Sequence, residues 1–107
     1  MQLYNVGPDR FDESDFDNIL RDHEYKWIVV YYLHYGPEGE GELLALGMDG
    51  VLTFKALGHC SCFGPLDDWD YQCEKITIEE FLRPKDSIHD LSFRKELEEK
   101  VRSLLVE

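Results

Sequence analysis

Histidine and cysteine, the side chains best suited to hold zinc or to attack a substrate, crowd into one short stretch of this chain. Gly58-His59-Cys60-Ser61-Cys62-Phe63-Gly64-Pro65 is followed by Leu66-Asp67-Asp68-Trp69-Asp70-Tyr71-Gln72-Cys73. Three chemistries compete for it. Zinc asks for four thiolate or imidazole ligands in a tetrahedron. Cys60 and Cys62 fall on one side of an extended chain, and Cys73 can return to them. His59 needs a turn to join, with His34 and His89 as substitutes, and the spacing is not the common C-x-x-C knuckle. A nucleophilic thiol, as in a cysteine-dependent enzyme, needs a base such as His59 to lower its pKa. The neighbouring Asp67, Asp68, Asp70 and Glu74 act the other way and raise it. The third reading is structural: small apolar cysteines pack beneath a glycine-built turn, and His59 bonds to backbone. The sequence favours this last reading, with no required cofactor and zinc as the alternative.

The elements that must position this stretch are legible from periodicity. Ser14 caps a predicted helix from Asp15 to about His23, with Phe16, Ile19, Leu20 and His23 on one stripe. Trp27 to Tyr35 alternates two apolar or aromatic faces, the pattern of a strand covered on both sides. Gly36 to Gly41, with three glycines and a proline, predicts a loop. Asp49-Gly50 between two apolar runs predicts a two-residue type I′ hairpin joining Glu42–Met48 to Val51–Leu57. In that register Leu43, Ala45 and Gly47 share the core face with Leu52, Phe54 and Ala56, while Thr53 and Lys55 point outward. Thr77-Ile78-Glu79-Glu80 is a capping box opening a short helix that Pro84 ends. Ser92 caps a last helix reaching Val106, with Phe93, Leu97, Val101, Leu104 and Leu105 as its apolar face. Glu96–Lys100 and Glu98–Arg102 are its expected i, i+4 pairs. The expected fold is α+β, a single domain over residues 1–107. A three-stranded antiparallel β-meander packs with an N-terminal helix and one or two C-terminal helices.

Composition narrows the function classes. The 107 residues are 43% hydrophobic and 32% charged, a globular balance with a formal charge of −12. That field repels nucleic acid and anionic membranes, so direct DNA or RNA binding is not expected and a basic partner is. No apolar run approaches the roughly 20 residues of a membrane span. The first residues lack the basic and apolar regions of a secretion signal, so the expectation is a cytoplasmic protein. No phosphate loop, H-E-x-x-H or G-x-S-x-G motif supports a standard enzyme.

The stretch Gly58-His59-Cys60-Ser61-Cys62-Phe63-Gly64-Pro65, after an Asp-Gly hairpin and before acidic residues and Trp69, resembles a signature of small uncharacterised bacteriophage and prophage proteins. The likeness spans residues 42–70, and Phe63 stands where that pattern has tyrosine. The resemblance implies a phage-encoded protein made inside a bacterial host, and it carries no settled activity. Together with the charge it points to a non-enzymatic interaction protein that docks on a basic surface of a host protein, as an inhibitor or nucleic-acid mimic. Asp67, Asp68, Trp69, Asp70 and Tyr71 are the partner-binding candidates, acids for steering and aromatics for anchoring. Asp12, Glu13, Asp15 and Asp17 read first as a solvated helix start, with a second acidic edge as the alternative. A homodimer through an exposed edge of the sheet is a further expectation.

Overall fold

Each of the two longest apolar runs became a strand covered on both faces, and the rest of the chain is arranged by that fact. The computed structural model describes residues 2–17, 24–35, 38–57, 73–82 and 91–106. They form β1 (Gln2–Asn5), a 3₁₀ turn (Glu13–Phe16), β2 (Tyr25–Tyr35), β3 (Glu38–Gly47), β4 (Leu52–Ala56) and β5 (Glu74–Ile76). Helices α1 (Ile78–Leu82) and α2 (Leu91–Val106) follow. The strands make one five-stranded sheet in the order β1-β2-β3-β4-β5. β1 runs parallel to β2, and the other three pairings are antiparallel.

This corrects the expected three-stranded meander. Its three strands are present, but β1 and β5 extend it on either side, and both carry too few residues to announce themselves by periodicity. The parallel strand depends on a clasp that folds the chain back. Asn5 donates from Nδ2 to the Phe11 carbonyl at 2.9 Å and accepts from the Phe11 N–H at 2.8 Å. Phe11 is thereby set edge-on to both Phe16 and Tyr32, each with centroids 5.8 Å apart. The helix expected over Asp15–His23 begins earlier, as a 3₁₀ turn at Glu13. Its cap is Asp12, whose N–H donates to Asp15 Oδ2 at 2.7 Å, and not Ser14. Positions 18–23 lie outside the described residues.

A second correction concerns positions 38–41, expected as loop. They are strand, pairing with Tyr32 to Tyr35. Gly41 is tolerated there because the ladder has no room for a side chain: an added Cβ would stand 2.1 Å from the Tyr31 carbonyl oxygen.

The third correction is the hairpin register. Gly50 N–H donates to the Gly47 carbonyl at 3.0 Å, and Gly47 N–H donates to the Val51 carbonyl at 2.8 Å. Among the described glycines only Gly50 takes a positive φ, +86°. This is a three-residue loop, a turn followed by one left-handed residue, instead of the two-residue type I′ form. One extra loop residue slips the register by one, and a slip of one exchanges the faces. Leu44 and Leu46 therefore stand opposite Phe54 and Leu52, while Leu43 and Ala45 stand opposite Lys55 and Thr53. Lys55, expected outside, is only 1% exposed.

The sheet divides two cores. Ile28, Val30, Tyr32, Leu43, Ala45 and Leu57 meet Phe16 on one face. Trp27, Val29, Tyr31, Leu44, Leu52 and Phe54 meet Phe81, Leu97 and Val101 on the other. α2 begins at Leu91, so Ser92 lies in its first turn. The Thr77 capping box is as expected. Glu80 N–H donates to Thr77 Oγ1 at 3.1 Å, and Thr77 N–H donates back to Glu80 Oε1 at 3.3 Å. Pro84 lies outside the described residues.

Candidate interaction surface

Charge is distributed unevenly between interior and surface, and two bases lie inside. Arg94 falls at i, i−3 and i−7 to Leu97 and Val101, on the apolar stripe of α2, and is 2% exposed. Its Nη1 donates to Glu42 Oε2 at 2.5 Å and its Nε to Glu98 Oε1 at 3.0 Å. Its Nη2 donates to the Phe81 carbonyl, and the guanidinium lies 4.2 Å from the Phe81 ring centroid. Glu42 also accepts from the Tyr31 hydroxyl at 2.6 Å. One buried side chain thus joins α2 to α1 and to β3, and through Glu42 to β2. Burial first, then the bond to Glu42, holds the Tyr31 hydroxyl well above the ordinary tyrosine pKa. Every polar group of this set has a partner, so it works as a clamp.

Sequence reasoning missed Arg94 and Lys55. The helical spacing of Arg94 to Leu97 and Val101 is a signal that could have found it. For Lys55 the only signal is the loop length, which the Asp-Gly pair left open.

The exposed charges of the described residues are mostly acidic. Asp12, Glu13, Asp15 and Asp17 follow one another in and beside the 3₁₀ turn. Glu24 and Asp49 lie near the hairpin end, Glu74, Glu79 and Glu80 on β5 and α1, and Glu96 and Glu99 on α2. Against them stand exposed Arg10, Lys26, Lys75, Lys95 and Arg102. Lys100 is half-buried, with its Nζ 4.1 Å from the Tyr4 ring centroid.

Of the residues singled out beforehand, Asp67, Asp68, Trp69, Asp70 and Tyr71 lie outside the described residues, as do His59, Cys60 and Cys62. Cys73 is half-buried and packs against the core that contains Leu57. Among the described residues no group of three His, Cys, Asp or Glu side chains could hold a metal. No described helix is long and apolar enough to cross a membrane. Comparison with protein-family models, curated proteins and solved structures finds no match.

Proposed function

We propose that this is a non-enzymatic interaction protein whose acidic surface docks on a basic patch of another protein, of the kind that otherwise holds nucleic acid. The resemblance around Gly58–Pro65 adds a setting: a phage-encoded protein in the cytoplasm of a bacterial host, acting as an inhibitor. One observation carries the reading. Exposed carboxylates run from Asp12 to Asp17 and recur on the hairpin, on β5 and on both helices, with few exposed bases between them. Opposed fields accelerate encounter and select the partner, while a neighbouring aromatic supplies affinity at the centre. Asp67, Asp68, Trp69, Asp70 and Tyr71 remain the proposed contact segment.

Affinity capture from a bacterial lysate, run as a salt series, tests this. Basic proteins should be retained at low salt and released by about 0.2 M, because exposed charges are screened within about 10 Å at 0.1 M. Recovery of no basic protein at low salt would end the proposal.

A second reading is zinc held by His59, Cys60, Cys62 and Cys73, in a small structural domain. It is favoured by the packing of Cys73 against the same core as Leu57, three residues before Cys60. Metal analysis after zinc-supplemented expression decides it. Less than about a tenth of an equivalent, unchanged by Cys73→Ser, removes the reading.

A further inference from the structure

We infer that Asp49-Gly50 is a self-modification site, at which the Asp49 carboxyl and the Gly50 amide close a succinimide that reopens as a β-linked isoaspartate. The inference is independent of the acidic-surface reading, because the product keeps one carboxylate and the surface keeps its charge. Of the aspartates and asparagines in the chain, Asp49 alone precedes a glycine. The nucleophile is the nitrogen of residue 50, and a side chain on that residue would crowd the attack. Glycine has none. The surrounding space is open as well, since a Cβ built on Gly50 meets no atom within 4 Å. Asp49 is exposed, so water reaches the ring once it forms.

The loop brings the two reacting groups together and also restrains them. Asp49 Oδ1 accepts from the Val51 N–H at 3.0 Å, a side-chain turn that spans Gly50 and keeps the carboxyl group against the loop backbone. Against this, the Gly50 N–H donates to the Gly47 carbonyl at 3.0 Å. Attack requires that bond to break, so the reaction runs through local opening of the hairpin tip. In the first step the Gly50 nitrogen bonds to Asp49 Cγ, and the amide proton leaves with the carboxyl hydroxyl as water. In the second step water opens the ring. Cleavage of the bond to Cγ restores aspartate, whereas cleavage of the bond to the main-chain carbonyl carbon sends the chain through Cγ. No electrons are exchanged, and the water lost is regained. The β-linked chain carries one more backbone atom in a loop whose length sets the register of β4. That atom displaces Gly50 and Val51 from the closing bonds they share with Gly47.

The test is incubation of the full chain at neutral pH over weeks, folded in buffer and unfolded in guanidinium chloride. Peptide mapping, and methyl transfer from S-adenosylmethionine by an isoaspartyl methyltransferase, read the product. Isoaspartate should accumulate at residue 49 ahead of every other aspartate in both samples. It should form at least about tenfold more slowly in the folded chain, the factor that about 1.4 kcal/mol of opening imposes. Asp49→Glu keeps the charge but needs a larger ring, and it should abolish the product at this position. The separated β-linked form should lose the hydrogen-exchange protection of the Gly47 amide and melt below the parent. Isoaspartate absent from residue 49 in the folded chain, or spread evenly over the other aspartates, overturns the site. Equal rates in the folded and unfolded chains overturn the restraint by the hairpin. A β-linked form whose Gly47 amide stays protected overturns the effect on the register.

Discussion

Glu42 accepts from Tyr31 and from Arg94 through its two oxygens, and this shared carboxylate explains how a cation can stand inside the second core. Removing Arg94 leaves Glu42 without its counter-charge and the Phe81 carbonyl without a donor. Arg94→Met should therefore lower stability by about 3–5 kcal/mol, read from the urea midpoint. Adding Glu42→Gln to that variant should cost less than the two single changes together, because each already breaks the same pair. Tyr31 makes a pH prediction whose sign follows from its raised pKa. An unfolded tyrosine ionises near about 10, whereas folded Tyr31 keeps its proton. Its contribution is fully present below about pH 10 and is lost as pH rises from there toward the folded-state value. Stability should be level with respect to this group up to about pH 10 and then fall, and Tyr31→Phe should flatten that alkaline arm. The difference between the tyrosinate absorbance titrations of the parent chain and of Tyr31→Phe should show Tyr31 ionising only as the chain unfolds.

At the scale of elements the hairpin decides most. Gly50 sits at φ +86° with open space around it, so Gly50→Ala should cost about 1–2 kcal/mol from backbone strain alone. Gly41→Ala is a different case. There the added carbon would meet the Tyr31 carbonyl oxygen, and the variant should lose more stability than Gly50→Ala or fail to fold. Thermal melts of the two separate strain from collision. Thr77→Ala removes the acceptor that caps α1 and should cost about 1 kcal/mol. These elements also show where local reading ends. An Asp-Gly pair is compatible with loops of two or three residues, and both place an apolar run on each side. Only the closure of the ladder through Gly47 and Val51 selects the longer one, and with it the face of every residue in β4.

For the whole molecule the governing quantity is the charge of −12. Like charges on a folded surface repel, and salt screens them. The melting midpoint should therefore rise between low salt and about 0.15 M, while affinity for a basic partner falls over the same interval. A midpoint that falls with salt would mean that the carboxylates are already paired within the chain.

Long apolar runs, the capping box at Thr77 and the acidic composition were determined by the sequence alone, since each depends on residues close together or on a simple sum. Both faces of β2, the helix ending at Val106 and the turn at Asp49-Gly50 were legible for that reason. β1 and β5 were not, because strands of four and three residues are held only by neighbours distant in the chain. Tertiary structure also decided which charges lie inside. Lys55 was turned inward by a register set in the hairpin, and Arg94 was buried because Glu42, 52 positions away, supplies the opposite charge. Burial of an ion depends on what meets it across the core, and that pairing is a property of the closed fold.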